Sequence, residues 1–449
     1  MQSFNPYTQK IIQDYSEFSI IELQEKIEAT QNAFKIWKET SFEKRASLML
    51  NLASLLKKNK KSLGELMTNE MGKPIKQSIA EVEKCAWLCE YYAEIAEKTL
   101  QNKIIETDAS KSYVRYEPLG IVLAVMPWNY PFWQYFRFIV PNLMAGNVGL
   151  LKHASNVSGC ALAIENLFYE AGFPENVSTT LLVSSKNTAQ IIEHNLVKAV
   201  TLTGSFAAGS AVAALSGKHI KKTVLELGGN NALIVFDDAD LESTLNTVVN
   251  ARYQNAGQSC IAGKRLLIQK SIADIFTSKL KEKVSTLKFG NPLDSETEIG
   301  VLAQEKFALD LEKQMNESIK MGAKLMLGGK RENAFFEPTI LINVSEEMPV
   351  FKEETFGPLL GITIFQTEDE AIALSNNSEF GLGVSIFTEN ETRIQKMISS
   401  LDEGAVFINE LVKSDPRLPF GGIKNSGYGR ELSTDALFEF MNIKTVFIK

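Results

Sequence analysis

The sequence predicts an α/β protein organised around a doubly wound parallel sheet. Three observations favour this class: from about residue 119 onward apolar strands alternate with helices, the connections between them are short, and the first strands are apolar on both faces. Short strand–helix connections imply parallel pairing through right-handed crossovers. Strands that are apolar on both faces must be covered by helices on both sides of the sheet.

The composition is that of an ordinary globular protein and argues against several function classes. Apolar residues make up 45% of the 449 residues and charged residues 22%, and this length allows roughly two to four domains. The net charge is −7 and no basic cluster is present, which argues against a nucleic-acid partner. No apolar run approaches the roughly 18–20 residues that cross a bilayer, and the amino terminus lacks a signal-peptide core. We therefore expect a cytoplasmic protein that binds no membrane.

The first predicted elements are amphipathic helices from Ser19 to about Thr99, in which apolar residues recur at helical spacing. The triplet Gly72-Lys73-Pro74 interrupts them, because glycine and proline favour the end of a helix. The segment SYVRYEPLGIVLAVMPW then predicts an alternating strand followed by a continuously apolar one. Alternating units follow: helix Phe132–Ala145, strand VGLLKH, helix SGCALAIENLFYEAG, strand TTLLVS, a helix around Thr188–His194, strand KAVTLTG, helix SFAAGSAVAALSG and strand KKTVLELGG.

A second α/β set begins with NALIVFDDADLESTLNTVVNARYQNAGQSC and continues through the predicted strands FEPTILINV, PLLGITIFQ, GVSIFT and GAVFIN. The last segment, FEFMNIKTVFIK, is apolar and predicts a strand. A terminal strand of this kind needs an edge to pair with, and a neighbouring subunit could supply one.

The cysteines and histidines do not show the spacing of a metal site, because no histidine stands near a cysteine at ligand distance along the chain. No metal is expected. Cys85 and Cys89 are one helical turn apart, which would allow chelation or pairing, but burial of both thiols on an amphipathic helix is the favoured interpretation. Cys260, in NAGQSCIAG, is flanked by small residues that let a substrate approach. It is the candidate nucleophile, with a buried, inert thiol as the alternative.

Three polar features support a catalytic role for Cys260. Glu226 ends an apolar strand at a Gly-Gly turn, where desolvation would raise its pKa toward that of a general base; a capping or salt-bridge carboxylate is the alternative. Asn129 follows an apolar strand at the edge where open α/β sheets bind ligands, although asparagine is also a common turn residue. The segment TLTGSFAAG starts a helix behind a glycine turn, which suits a pyrophosphate, but its spacing is not GxGxxG.

Seven short segments occur in one order along the chain: PWN, LLKHAS, TGS, ELGG, GQSC, EETFGP and PFGG. In this combination the sequence resembles the aldehyde dehydrogenase superfamily, from FNPYTQ near the start to the final strand, with a shorter amino terminus. The resemblance implies the aldehyde dehydrogenase fold. A doubly wound nucleotide-binding domain would span residues 1–99 and 119–228, an α/β catalytic domain 229–424, and a small β oligomerisation segment 100–118 and 432–449. It also implies a homodimer or homotetramer.

The resemblance further implies a mechanism. Cys260 would attack the aldehyde while the Asn129 amide and the backbone N–H of Cys260 hold the oxyanion, and hydride would leave for a nicotinamide to give a thioester. Glu226 would activate the water that hydrolyses this thioester. Relatives that transfer the acyl group to coenzyme A lack a base at this position, so the chain looks hydrolytic.

Cofactor contacts are implied for Trp128, Lys152, Ser155, Gly204, Ser205, Glu354 and Phe356. Lys152 matches the lysine that binds the adenosine ribose, with a plain surface lysine as the alternative. NAD-specific members usually carry a glutamate three residues later, where this chain has Ser155. A carboxylate would repel a 2′-phosphate, whereas a hydroxyl beside Lys152 can bind one. NADP is therefore expected to be preferred over NAD.

Substrate contacts are implied for Arg137, Ser414 and Trp133. Arg137 lies eight residues after Asn129, on the same side of the following helix, where its guanidinium could bind a carboxylate; a salt bridge on the helix surface is the alternative. Arg137 and Ser414 resemble the carboxylate-binding pair of succinate-semialdehyde dehydrogenases, and KHASNV and KSDPRLPFGG look like bacterial members of that group. Some members carry a second cysteine two residues after the nucleophile, where this chain has Ala262.

The favoured function is oxidation of succinate semialdehyde to succinate with NADP or NAD. Dehydrogenation of another short aldehyde, such as glutarate semialdehyde or glycolaldehyde, is an alternative that Arg137 disfavours. A non-catalytic binding protein on the same fold is disfavoured by intact Cys260, Glu226 and Asn129. A cysteine hydrolase without redox chemistry is a further alternative, since thioester hydrolysis is half of the expected cycle.

Overall fold

The computed structural model describes residues 1–449, and the chain begins with a hairpin and three long helices. A capping box of Ser19 and Glu22 starts the first helix, and Ser41 caps the second. Gly72 ends the second helix with a φ of 80°, a left-handed conformation that glycine adopts at low cost, so the predicted helix break is confirmed. These elements are β1 (Gln2–Asn5), β2 (Lys10–Asp14), α1 (Ile20–Trp37), α2 (Phe42–Met71) and α3 (Ile75–Thr99).

The next part of the chain forms the first parallel sheet and the helices that cover it. Its elements are β3 (Lys103–Ile104), β4 (Lys111–Pro118), β5 (Ile121–Met126), α4 (Trp133–Met144), β6 (Val148–His153), α5 (Ser158–Glu170), β7 (Ser178–Thr180), α6 (Thr188–Glu193), β8 (Val197–Thr203), α7 (Phe206–Lys218) and β9 (Lys222–Glu226). Five of the strands pair in parallel in the order β9-β8-β5-β6-β7. The chain winds outward from β5 to β7 and then returns to β8, so β5 and β8 flank a topological switch point.

The doubly wound sheet predicted from the sequence is confirmed, with one strand shorter than expected. The strand predicted for TTLLVS ends at Thr180. Beyond it, the Leu181 N–H still donates to the carbonyl oxygen of Leu151 in β6 at 2.8 Å, whereas the carbonyl oxygen of Leu182 accepts a hydrogen bond from the Phe18 N–H at 2.8 Å. The chain therefore leaves the sheet at Leu182 and pairs there with the amino-terminal segment.

The second α/β set forms a seven-stranded sheet. Its region contains β10 (Asn231–Val235), α8 (Leu241–Tyr253), β11 (Gly263–Gln269), α9 (Ala273–Ser285), α10 (Glu305–Lys320), β12 (Lys324–Leu327), β13 (Arg331–Glu332), β14 (Phe335–Phe336), β15 (Thr339–Ile342), α11 (Pro349–Lys352), β16 (Leu359–Phe365), α12 (Glu368–Asn376), β17 (Phe380–Gly381), β18 (Val384–Phe387), α13 (Glu391–Ser400) and β19 (Val406–Ile408). The sheet order is β12-β15-β16-β11-β10-β18-β19, and only β12 is antiparallel to its neighbour. Each sheet has its own apolar core, of 67 and 41 buried residues.

The carboxyl-terminal segment returns to the first half of the chain. It contains β20 (Ile423–Lys424), β21 (Gly427–Tyr428), α14 (Asp435–Glu439) and β22 (Met441–Ile448). β21 pairs with β9, and β22 pairs along its full length with β4. From the sequence, the last strand was expected to need an edge to pair with, and a neighbouring subunit was one possible source. In the structure, β4 of the same chain pairs with one edge of this strand. No helix combines the length and the apolar character that crossing a bilayer requires.

A buried carboxylate on α3 fixes the start of α4. Oε1 of Glu81 accepts hydrogen bonds from the backbone N–H groups of Phe132 and Trp133, at 3.0 Å each, and Oε2 pairs with Lys73. Both side chains of the ion pair are buried. Negative charge is favourable at this point because the first N–H groups of a helix have no helical partner. Helix α3 therefore determines where α4, with Trp133 and Arg137, begins.

Replacing Glu81 with alanine should lower the free energy of unfolding by about 3–5 kcal/mol, because Lys73 would be left as a buried charge without a partner. The matched control is Lys60→Ala, which breaks an exposed pair with Glu83 and should cost only about 0–1 kcal/mol. Chemical denaturation followed by tryptophan fluorescence measures both losses. Equal losses would contradict the anchoring role of the buried pair.

Candidate active site

Several predicted site residues lie at the carboxyl ends of strands in the first sheet or in a loop of the second. Asn129 follows β5, Ser205 follows β8, Glu226 is the last residue of β9, and the loop with Cys260 precedes β11. Cys260 and Gln134 line two cavities, each of about 260 Å³. Cys260 therefore lies at the junction of two spaces that ligands could occupy.

The two cavities divide the predicted ligand contacts between them. The first, termed the switch-point cavity, is lined by the predicted cofactor residues Trp128, Gly204, Ser205, Glu354 and Phe356. The second, termed the α3–α4 cavity, is lined by the predicted substrate residues Trp133, Arg137 and Ser414. Lys152, Ser155 and Glu226 line neither cavity.

The loop that carries Cys260 has an uncommon backbone conformation. Asn255, Ala256 and Gly257 all have positive φ values, at 53°, 51° and 72°. The left-handed region is unfavourable for Ala256 because of its side-chain carbon, so surrounding contacts must hold the turn in place. One such contact comes from Asn255, whose Nδ2 donates to the carbonyl oxygen of Asn129 at 2.9 Å. The turn thus connects the Cys260 loop to the segment after β5.

Asn129 is buried, and hydrogen bonds orient both ends of its amide. Nδ2 donates to the carbonyl oxygen of Gln258 at 3.1 Å, and Oδ1 accepts from Nε2 of Gln134 at 2.8 Å. One N–H of the Asn129 amide is left without a partner. The backbone N–H of Cys260 also donates to no group of the chain. Two unpaired N–H donors near a thiol are what an oxyanion hole requires.

Cys260 is the one cysteine of the chain that is not fully buried. Burial raises the pKa of its thiol to about 11, against the opposing positive charges of Arg137 and Lys264. The other three thiols, those of Cys85, Cys89 and Cys160, are free and buried. Burial was the favoured interpretation for Cys85 and Cys89. No cluster of three or more potential metal ligands is present in the chain. Access to a cavity therefore distinguishes Cys260 from the other cysteines.

Glu226 is buried at the end of β9, and neither of its carboxylate oxygens is hydrogen-bonded. Burial raises its pKa well above the usual range, and the charge of Glu431 adds to this shift. The PFGG segment packs against the carboxyl group: a side-chain carbon on Gly421 would lie 2.8 Å from Oε1 of Glu226. A carboxyl group in such a place favours the neutral form and becomes a strong base once it ionises.

Lys264 joins three segments of the site. Its buried ammonium donates to the carbonyl oxygens of Gly229 and Cys260 and to Oε1 of Glu354, the last two at 2.9 and 2.7 Å. The Gly-Gly turn permits this approach. A side-chain carbon on Gly229 would lie 2.5 Å from the carbonyl oxygen of Cys260, and one on Gly228 would overlap the Glu354 carboxylate. The ELGG turn, the Cys260 loop and the EETFGP segment are therefore in direct contact.

Arg137 is buried in the protein and does not form the surface salt bridge considered as its alternative. It forms an ion pair with Glu431, and the two side chains are 3% and 5% exposed. Nη2 donates to Oγ1 of Thr203 at 3.1 Å, and the guanidinium lies 4.8 Å from the ring centroid of Phe420. Arg137 lines the α3–α4 cavity, but a partner within the chain offsets its charge.

Ser414 and Trp133 are joined by a hydrogen bond in the same cavity. Nε1 of Trp133 donates to Oγ of Ser414 at 2.9 Å, and Nζ of Lys84 donates to the same oxygen at 2.8 Å. The Lys84 ammonium also lies 4.1 Å from the ring centroid of Trp133. Helix α3 therefore adds a cation to the wall of this cavity.

The residues predicted to hold an adenosine ribose lie at the carboxyl end of β6. Lys152 is only 9% exposed, so it is not a plain surface lysine, and its ammonium forms no hydrogen bond or ion pair within the chain. Ser155 is exposed three residues later. Ser205 caps α7, with Oγ accepting from the Ala208 N–H at 3.3 Å. A largely buried, unpaired cation and a helix amino terminus both fit the phosphates and ribose of a dinucleotide.

Four further residues reach the site without belonging to the segments that the sequence singled out: Lys84, Gln134, Lys264 and Glu431. Lys264 could have been noticed as a charged residue at the start of the apolar strand KRLLIQ. Lys84 lies three residues after Glu81, next to a face of α3 that is otherwise buried. Glu431 carries no local signal, because its partner Arg137 is distant along the chain.

Comparison with known proteins gives one consistent result. The model of the aldehyde dehydrogenase family matches residues 1–446. The chain is 46% identical over 450 residues to the probable succinate-semialdehyde dehydrogenase (NADP+) of Synechocystis sp., covering 99% of both chains. It is 41% identical over 448 residues to the succinate semialdehyde dehydrogenase (NAD(P)+) Sad of Escherichia coli, covering 99% of this chain and 97% of the relative. The crystal structure of succinic semialdehyde dehydrogenase from Streptococcus pyogenes in complex with NADP+ matches with a TM-score of 0.97 and 35% identity, covering 100% of this chain and 99% of that chain.

Alkylation of the native protein with iodoacetamide should modify Cys260 alone, because the other three thiols are buried. The rate should rise about tenfold for each unit of pH below the thiol pKa of about 11, since the thiolate is the reacting form. Peptide mass mapping identifies the modified residue, and Cys260→Ala is the control that should stay unmodified. Modification of a buried cysteine, or a rate that levels off near neutral pH, would contradict this description of the site.

Proposed function

The chain belongs to the aldehyde dehydrogenase family, and from this premise we propose that it oxidises succinate semialdehyde to succinate with NADP+ as its preferred cofactor. The observation that carries the proposal is the position of Cys260, which lines both the switch-point cavity and the α3–α4 cavity. A nucleophile at such a junction can contact an aldehyde on one side and a hydride acceptor on the other. The relatives named above as succinate-semialdehyde dehydrogenases support this substrate.

In the first step the Cys260 thiolate attacks the aldehyde carbon, and an electron pair of the carbonyl moves to its oxygen. The unpaired N–H of Asn129 and the backbone N–H of Cys260 stabilise the resulting oxyanion. Arg137 and Lys264 favour the thiolate, because their positive charges oppose the rise in pKa that burial causes.

The bound cofactor supplies the hydride acceptor. Lys152 and Ser155 would hold its adenosine ribose and 2′-phosphate, and Gly204 and Ser205 at the start of α7 would hold its pyrophosphate. Trp128, Glu354 and Phe356 would line its nicotinamide end. Collapse of the oxyanion would re-form the C=O bond and break the C–H bond, with the hydride taken up by the oxidised nicotinamide, and would leave an acyl thioester on the sulfur of Cys260.

Glu226 completes the cycle as a general base. It takes a proton from water, the hydroxide attacks the thioester carbon, and the Cys260 thiolate leaves as succinate is released. Because burial favours the neutral form of Glu226, its carboxyl group must first lose a proton. Deacylation should therefore become faster as the pH rises.

The α3–α4 cavity suits a short aldehyde with a distal carboxylate. It is small, at about 260 Å³, and its wall carries the guanidinium of Arg137 and the hydroxyl of Ser414, with Trp133 beside them. Positive charge and hydrogen-bond donors favour a negatively charged group over an uncharged one of equal length. Ser414 and Arg137 are accordingly assigned to the distal end of the substrate.

We assign residues 1–99 and 119–228 to nucleotide binding, 229–424 to catalysis, and 100–118 with 432–449 to association between subunits.

β22 is the outer strand of a three-stranded sheet, and Ile443 and Phe447 on it are 62% and 52% exposed. An unpaired edge with exposed apolar side chains favours pairing with a second copy. We therefore propose a homodimer or homotetramer. We also propose a cytoplasmic location, as the sequence led us to expect.

Replacing Glu226 with glutamine should preserve a burst of reduced cofactor, because hydride transfer precedes the step that needs the base. Steady-state turnover should fall by about 100-fold or more. Rapid mixing measures the burst, and intact mass should show a succinyl group on the protein during turnover. Cys260→Ala is the control and should give neither a burst of reduced cofactor nor a succinyl group on the protein. Absence of a burst from a folded Glu226→Gln variant would contradict a role confined to deacylation.

Replacing Ser155 with glutamate should raise the KM for NADP+ by about 10–150-fold, because it removes a charge-assisted hydrogen bond to the 2′-phosphate and adds repulsion. The KM for NAD+ should change little, since NAD+ lacks that phosphate. Ser155→Ala is the matched control, which removes the hydrogen bond without adding charge and should have a smaller effect. Initial rates at saturating aldehyde measure both constants. Equal changes for the two cofactors would place the 2′-phosphate elsewhere.

A further inference from the structure

Lys84 is a cation in the α3–α4 cavity that the aldehyde chemistry described above does not use. It lies on α3, its Nζ donates to Oγ of Ser414 at 2.8 Å, and its ammonium lies 4.1 Å from the ring centroid of Trp133. It forms no ion pair. The contact with the tryptophan ring stabilises a positive charge without neutralising it.

The other charged residues that line this cavity are all paired within the chain. Glu81 pairs with Lys73, Arg137 pairs with Glu431, and Lys413 pairs with Glu410. Asp415, next to Ser414, pairs with Arg417. Once these pairs are set aside, Lys84 is the one uncompensated charge in the wall of the cavity. A cavity with a single uncompensated positive charge is complementary to a ligand with a single carboxylate.

The hydrogen bonds at Ser414 define where that carboxylate would bind. Oγ of Ser414 already accepts hydrogen bonds from Lys84 and from Trp133, which occupies both of its lone pairs. The proton of the Ser414 hydroxyl is therefore available only as a donor. The ammonium of Lys84 retains further N–H donors beside it, so the two groups together can bind both oxygens of a carboxylate.

Arg137 is less suited than Lys84 to be the main charged contact of the substrate carboxylate. Its Nε faces Glu431 and its Nη2 donates to Thr203, so two of its three nitrogens already have partners. A substrate carboxylate bound to Arg137 would also lie close to the negative charge of Glu431. Lys84 has no such competing anion within ion-pair distance.

We propose that Lys84 is the specificity-determining cation of the site and that its ammonium, together with the Ser414 hydroxyl, binds the distal carboxylate of the semialdehyde. This inference rests on the proposed function and assigns to Lys84 the main charge recognition, with Arg137 as a secondary contact. It adds to the site a residue on α3, a helix outside the segments that carry the nucleophile, the base and the cofactor contacts.

The charge state of Lys84 gives the proposal a signature in pH. The pKa of Lys84 is lowered to about 8, mainly by burial and in part by the charge of Arg137, against the opposing effects of Cys85, Glu81 and Asp415. Lys84 is charged below this value and neutral above it, so selectivity for a carboxylate-bearing aldehyde should fall as the pH rises through about 8. The groups that face Lys84 are Glu81 and Cys85 on α3, Arg137 on α4, Asp415 beside Ser414, and Cys260 and Lys413 elsewhere in the cavity wall.

The test compares kcat/KM for succinate semialdehyde and for butanal, an uncharged aldehyde of equal length, at saturating NADP+. Lys84→Met keeps the packing against Trp133 and removes the charge. It should lower kcat/KM for succinate semialdehyde by about 30-fold or more, mainly through KM, and leave butanal within about twofold. Lys84→Arg should restore part of the loss. Lys98→Met is the matched control, since it removes an exposed lysine of the same helix that does not line the cavity, and the ratio of the two kcat/KM values should not change.

The ratio of the two kcat/KM values also cancels pH effects on Cys260 and Glu226 that both substrates share. In the wild-type enzyme this ratio should fall above about pH 8, and in Lys84→Met it should be low and independent of pH. A wild-type ratio that Lys84→Met leaves unchanged would overturn the assignment of Lys84 while the proposed function stands. A wild-type enzyme that does not prefer succinate semialdehyde over butanal would overturn the proposed function as well. If Lys84→Met also loses butanal turnover, the wild-type pH profile decides, and a flat ratio overturns the proposal.

Discussion

The geometry of the site depends on the hydrogen bonds that the buried ammonium of Lys264 donates. This ammonium connects the Gly228-Gly229 turn, the Cys260 loop and Glu354, which come from three separate stretches of the chain. Burial lowers its pKa, and the Glu354 charge opposes that shift. A buried charge is tolerated only when its donors are satisfied, so the three acceptors must stay in place together. The position of Cys260 and that of the predicted nicotinamide contact Glu354 are therefore coupled through one side chain.

Paired buried charges likewise fix the side chains around the α3–α4 cavity. Glu81 fixes the start of α4 while it pairs with Lys73, and Glu431 holds the Arg137 guanidinium against Thr203. These pairs cost desolvation energy and contribute little net stability, but they define where each side chain lies. The same pairs leave the ammonium of Lys84 uncompensated. The contacts that place the predicted catalytic groups are thus the same contacts that underlie the charge selectivity proposed for the cavity.

Local patterns in the sequence were sufficient to predict most of the elements, whereas long-range pairing was not. Ser19 with Glu22, and Gly72, mark helix ends through contacts within a few residues, so the sequence shows them directly. The pairing of β22 with β4 joins opposite ends of the chain and is absent from any local pattern. The resemblance to the aldehyde dehydrogenases located Cys260 and the residues around it by motif. Lys84 and Glu431 lie outside those motifs, and only tertiary packing shows that they contact Ser414 and Arg137.

The central claim is that the α3–α4 cavity selects a short aldehyde with a distal carboxylate for oxidation by NADP+ at Cys260. The most direct test is a steady-state series of aldehydes of two to five carbons, with and without a terminal carboxylate, assayed with each nicotinamide by the absorbance of the reduced cofactor. Succinate semialdehyde with NADP+ should give the highest kcat/KM. A higher value for glycolaldehyde, glutarate semialdehyde or an uncharged aldehyde, or a preference for NAD+, would contradict it.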